Sequence, residues 1–285
     1  MPMTLAFSTN AFTKFPLDEA CRRIAGHGYR AVEILADVPH MWPATFSDHQ
    51  ADALRKLLGD LGLSISNINA NTMFGHWTDA PPEPFFEPSL VSDVAEYRTL
   101  RVETLLRTLD LAARLGARTV SITTGKPLGS MSPEACEPVL EENLGRVLER
   151  ADSLGIDVGI ECEPGLLLEW TDELVAWIQR MNSPRLGANL DLGHAQVIGE
   201  VPAESIRKLR GRIWNLHIED IRGRKHYHRI PGEGDMDFPA IAAALREVNY
   251  DRCVTVELYT YSTAPDRAAK ESYEALAPLF VSRRW

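Results

Sequence analysis

Short β-rich runs alternate with amphipathic helical stretches from one end of this chain to the other. The runs TLAFS (4–8), AVEIL (31–35), LSISNIN (63–69) and ARTVSIT (117–123) read as strands. So do DVGIE (157–161), LGANLD (186–191), IWNLH (213–217) and CVTVE (253–257). Between them lie helical patterns over 17–28, 48–62, 101–116, 141–155, 171–181, 203–210 and 238–248, with a last one over 265–280. Apolar spacing near 3.6, glycine stops and Asp, Ser or Thr starts mark the helices, and β-branched runs mark the strands.

Strands that alternate with helices pair in parallel. Eight such units in 285 residues match a single-domain (β/α)8 TIM barrel spanning 1–285 in both count and size. A doubly wound open sheet is the competing α/β architecture. It calls for a glycine-rich phosphate turn after the first strand, and FSTNAFTKF has none. The segment 71–98 is rich in proline and aromatics and too long for a plain βα turn. It is expected to form a lid or rim within the barrel.

Composition narrows the partners. A formal net charge of −10 argues against nucleic acid, whose phosphates call for a basic face. No apolar run approaches the roughly 20 residues of a membrane span, and the start MPMTLAFSTNAF lacks the pattern of a signal peptide. Cys21, Cys136, Cys162 and Cys253 form neither a CxxC pair nor a metal-ligand spacing, as in reduced thiols of a cytoplasmic protein. The expected partner is a small molecule, and a homo-oligomer stays open.

In a barrel the functional face lies at the C-terminal ends of the strands. The last four strands end in Glu161, Asp191, His217 and Glu257, each able to bind a divalent metal. Two residues earlier, facing the same way, stand Gly159, Asn189, Asn215 and Thr255, all small or polar. The intervening Ile160, Leu190, Leu216 and Val256 are apolar and suited to face the helices. Four strands in one phase predict a metal site inside the barrel mouth above a polar layer. Three carboxylates and one imidazole favour Mn²⁺ or Mg²⁺, with Zn²⁺ or Co²⁺ as alternatives. Glu163 shares the parity of Glu161, so either could be the ligand; counting from the strand start favours Glu161.

The stretches GIDVGIECEPG, NLDLGHAQ, WNLHIEDIRGRKHYHRIPGEGDMDFPAI and DRCVTVELY resemble the xylose-isomerase-like TIM barrels, the sugar (phosphate) isomerases and epimerases. The resemblance covers nearly the whole chain. It implies that Glu161, Asp191, His217 and Glu257 hold one divalent metal, and that His194 touches metal or substrate. It does not imply which sugar. With the metal chemistry it points to proton transfer beside a carbonyl through an enediolate, with Glu161 and Glu257 as base and acid from opposite faces.

Around them His194, Arg222, His226, His228, Glu163 and Glu33 are candidate substrate contacts, with Asn10 also near the pocket. His76 and Trp77 could cover a sugar or simply pack within their loop. The same first step would serve a dehydratase or lyase acting on an inosose, a dehydroshikimate or a 3-keto-glycoside. A non-catalytic metabolite-binding barrel would keep the ligands without turnover. An abasic-site endonuclease is disfavoured, because Thr123 and Thr124 stand where it needs a histidine after strand 4.

Overall fold

The structure, a computed structural model, describes residues 3–77, 86–129 and 131–281. Eight parallel strands close on themselves in chain order. They are β1 Thr4–Ser8, β2 Ala31–Leu35, β3 Ser64–Asn69, β4 Thr119–Ile122, β5 Asp157–Ile160, β6 Leu186–Asp191, β7 Ile213–Ile218 and β8 Cys253–Val256. The seam is β1 against β8, with Ala6 opposite Thr255 and Phe7 opposite Val256. This is the expected (β/α)8 barrel.

The strand residues sort as a period of two requires. Ile34, Ile68, Val120, Ile160, Leu216 and Val254 are buried in the apolar core shared with the helices. Burying each such side chain contributes about 1.5–3 kcal/mol. The opposite phase is polar. Asn215 donates to Asn189 Oδ1 at 2.7 Å and accepts from Thr255 Oγ1 at 3.0 Å. Asn67 donates to Glu33 and to Ser121, each at 2.8 Å. Register puts Asp191 opposite His217 and His217 opposite Thr255, two residues before Glu257, and the four metal-type side chains converge at the strand ends.

Nine α-helices occur among the described residues. The first two, α1 (Leu17–Gly26) and α2 (Asp48–Leu61), match the sequence reading closely. Ser47 and Gln50 form a capping box at the start of α2, and Gly62 ends it at φ 65°. Helix α3, Ala95–Leu115, starts six residues before the expected 101 and so takes the end of the segment 71–98. Helix α4, Pro133–Leu154, starts eight residues before 141, capped by Ser132 with Pro133 in its first turn. Pro138 lies inside it; proline removes one backbone donor, which disguised the longer helix. After α5, Thr171–Met181, the short α6, Leu192–Ile198, was not expected. The chain ends with α7 (Pro202–Lys208), α8 (Phe238–Glu247) and α9 (Pro265–Phe280). First and last helices are clasped: Asp266 accepts from Arg23 at 2.8 Å and pairs with His27 at 2.9 Å.

Candidate active site

Asp191 ends β6 and also caps α6, its Oδ1 accepting the His194 backbone N–H at 2.7 Å. The cap turns Asp191 Oδ2 toward His217 Nδ1, 3.7 Å away. Glu161 Oε2 lies 3.2 Å and Glu257 Oε2 3.6 Å from the same nitrogen. One donor atom from each of Glu161, Asp191, His217 and Glu257 therefore falls within 4.8 Å of the others, and all four residues are buried.

Each carboxylate leans on amides. Asn71 Nδ2 donates to Glu161 Oε2 at 2.9 Å, and Asn189 donates to the same oxygen. Asn10 and Asn69 donate to Glu257 Oε1 at 2.9 and 3.1 Å. The other ring nitrogen of His217, Nε2, is held by Glu33 Oε2 at 2.7 Å. A carboxylate on the far side of an imidazole orients the ring and sets its tautomer, as histidine ligands of metals require.

The quartet suits a divalent cation. Asp191 Oδ2 is buried and accepts no hydrogen bond, and leaving a buried carboxylate oxygen unpaired is costly. Burial, then the neighbouring Glu161, Glu33 and Asp191, push the Glu257 carboxyl well up, against the pull of His217. Burial opposes charge on His217, yet Glu257, Glu33 and Glu161 hold its imidazole well above the usual range. Three carboxylates this close repel unless positive charge lies among them. A hard cation would supply it through the oxygen-rich donor set.

A cavity of about 510 Å³ opens above the quartet, and Glu161 and Glu257 are part of its lining. Its size suits a small ligand. Glu163 and His194 also line it, with His194 Nε2 3.5 Å from Glu163 Oε2. The His194 ring is anchored by Nδ1 against the Cys162 carbonyl at 3.1 Å. Burial pushes the Glu163 carboxyl up to about 7, with His194 pulling the other way. Glu161 joins the quartet, while Glu163 forms a second group of possible ligands with Glu161 and His194 and lies 3.7 Å from His226 in the cavity.

Three expected substrate contacts stand elsewhere. Glu33 is wholly buried beneath His217, because its position in β2 points it into the polar layer rather than the cavity. Arg222 is exposed on the loop after β7 and is absent from the cavity lining. His228 is wholly buried, with Nδ1 3.0 Å from the Glu257 carbonyl. It is absent from the cavity lining, yet it has a ring nitrogen within 4.8 Å of ring nitrogens of His194 and His226, on a loop closed by an antiparallel bridge between Asp220 and Arg229. His226 does reach the cavity, with its ring 4.8 Å from that of His194.

The expected rim, 71–98, contributes Asn71, Thr72, Phe74 and Phe86 to the cavity lining; residues 78–85 lie outside the described residues. Its base is tied down by Asp37, which accepts from Thr72, Phe74 and Gly75 at 2.6–2.8 Å. Buried Arg101 holds the same ledge through the Ala70 carbonyl at 2.6 Å. His76 and Trp77 pack against each other and Tyr97 and do not line the cavity.

Sequence reasoning missed Asn71 and Glu219, although both carry a readable signal. Asn67, Asn69 and Asn71 stand two apart, and Glu219 is in phase with His217. Both Glu219 carboxyl oxygens are buried without a hydrogen-bond partner, beside Asp191 and His228. Burial and Asp191 push this carboxyl well up.

The fructoselysine 3-epimerase of Shigella flexneri is 25% identical over 284 residues, covering 97% of this chain and 99% of that one. A crystal structure of D-psicose 3-epimerase in the presence of D-fructose superposes with a TM-score of 0.80. It is 18% identical, with 98% of this chain and 100% of that chain covered. The IOLI protein, crystallised with a zinc atom, gives a TM-score of 0.78 at 18% identity and the same coverage. The description "Xylose isomerase-like TIM barrel" matches residues 21–279. With that match spanning most of the closed barrel, the chain belongs to the xylose isomerase-like TIM barrel family.

Proposed function

We propose that this protein is a divalent-metal-dependent sugar isomerase or epimerase that moves a proton on a carbon beside a carbonyl. One observation carries the reading: Glu161 and Glu257 belong to the buried quartet and also line the cavity. Its sugar-acting relatives support it, the fructoselysine 3-epimerase among them. A divalent cation held by Glu161, Asp191, His217 and Glu257 would polarise the carbonyl and the hydroxyl next to it. The donor set favours Mn²⁺ or Mg²⁺, and the zinc-containing neighbour keeps Zn²⁺ in view.

The chain's own groups then divide the proton work. Glu161 Oε2 is occupied by Asn71 and Asn189, while Oε1 accepts no hydrogen bond among the described residues and is 3.8 Å from His194 Nδ1. That oxygen takes the proton from the substrate carbon. Glu257 returns one from the other side, giving an epimer or an aldose–ketose pair through the enediolate. His194 and Glu163 orient hydroxyls from the cavity side.

The test is incubation of the Mn²⁺-loaded protein with a panel of ketoses, inososes and 3-keto-sugars in D₂O, followed by NMR. Deuterium entering an intact carbon skeleton is expected. Glu161→Gln and Glu257→Gln should each lower that exchange by about 10²–10⁴, with bound metal measured in parallel. Loss of water or of a glycosyl group would instead make the protein a lyase. Exchange retained in both variants would reject the assignment of these two residues.

A further inference from the structure

Glu161 and Glu257 are both steered from one short stretch where β3 ends. Asn69 donates to Glu257 Oε1 at 3.1 Å, and Asn71 donates to Glu161 Oε2 at 2.9 Å. The backbone around Asn71 is gripped by one side chain from α3. Arg101 donates to the carbonyls of Ala70 at 2.6 Å, Asn71 at 3.4 Å and Thr72 at 3.4 Å. It makes no other hydrogen bond and no ion pair among the described residues, and its Nε has no partner. Every bond it forms goes to these three residues.

Such a brace costs stability. Arg101 is only 1% exposed, and a buried charge without a paired carboxylate loses its hydration. Burial draws its guanidinium down to about 10, against Asp37 and Glu87, so the charge persists at neutral pH. A flat guanidinium spans three successive carbonyls, which the single nitrogen of a lysine does not. Asp37 completes the grip by accepting from the Thr72 hydroxyl at 2.6 Å. Thr123 Oγ1 adds a bond of 2.9 Å to the Asn71 carbonyl. The Asn71 backbone is thus fixed while its side chain meets Glu161.

We propose that Arg101 is a positioning residue for Glu161, acting through the 70–72 backbone and the Asn71 amide. This rests on the reading of Glu161 as metal ligand and base. Asn71 holds Oε2, which leaves Oε1 turned toward His194. Arg101 itself neither lines the cavity nor belongs to the quartet. Its effect on Glu161 therefore passes through Asn71. Without that hold the carboxylate turns about its side-chain bonds and keeps its place in the quartet only part of the time.

A double-mutant cycle on Mn²⁺ affinity, measured by competition against a chelator, tests this. Asn71→Ala and Arg101→Lys should each weaken binding about tenfold, as loss of a partner to a metal ligand does. The double variant should be no weaker than Asn71→Ala alone, because the arginine acts through that amide. Thr123→Val loosens the same carbonyl without emptying the core. It should weaken binding about threefold, as one hydrogen bond allows, and have no effect once Asn71 is alanine. This second cycle decides the matter if thermal unfolding shows that Arg101→Lys does not fold. Unchanged affinity in Arg101→Lys, or effects that multiply in the double variant as two independent structural losses would, overturns the proposal. Deuterium exchange on ketoses is read separately. A parent that binds Mn²⁺ and exchanges nothing fails as an isomerase while the cycle still decides Arg101; a parent that binds no Mn²⁺ overturns both.

Discussion

His217 and Glu33 meet at 2.7 Å through Nε2 and Oε2, both side chains wholly buried. This leaves His217 Nδ1 to face Glu161, Asp191 and Glu257. Glu33 is thereby a positioning residue for the imidazole, even though it is remote from the cavity. Glu33→Gln should weaken divalent-metal binding by about 10- to 100-fold. Competition against a chelator would measure it, with thermal unfolding confirming that the barrel persists. Unchanged metal affinity would show that the ring keeps its orientation without the carboxylate.

At Gly159 β5 lies close against β6. An added Cβ would stand 2.8 Å from the Asn189 backbone nitrogen and 3.1 Å from the Ala188 carbonyl carbon. Backbone cannot yield there without moving Asn189, which donates to Glu161. Gly159→Ala is therefore expected to cost about 1–3 kcal/mol in urea unfolding and to lower metal affinity as well. Stability equal to that of the parent would mean that the two strands separate easily.

His40 gives the fold a pH dependence away from the metal-type residues. Burial holds its imidazole below the usual value of 6.5, although the carbonyls of Phe15 and Phe12 favour the proton. With the folded pKa depressed, the unfolded chain binds more protons as pH drops below 6.5. The contribution of His40 is thus complete above that pH and is lost as pH falls. Between pH 7.5 and 5.5 the parent should lose up to about 1.4 kcal/mol more than His40→Gln. Parallel stability curves for the two proteins would exclude this.

Much of the site was legible because strand parity is local. Glu161, Asp191, His217 and Glu257 could be picked out as one level of the barrel from a period of two and from where each apolar run stopped. The same logic reaches Asn189, Asn215 and Thr255, which form the polar layer beneath. It would also have reached Asn71 and Glu219, had the count been carried two residues past Asn69 and His217. Arg222 shows the limit. Its place on the loop after β7 suggested a ligand contact, but no periodicity governs a loop, and its side chain lies in solvent.

Alternation, punctuation and parity by themselves determined the eight βα units, the closed parallel barrel and the set of side chains that turn inward, because each depends on neighbours in the chain. Only the tertiary structure decided what those side chains meet. Glu33 and His217 are 184 residues apart, and Asn10 reaches Glu257 across 247. Closing the barrel brings β1 against β8, sets the register of every strand, and so assigns Glu33 to the support of His217. Those distances follow from closure, which no local pattern encodes.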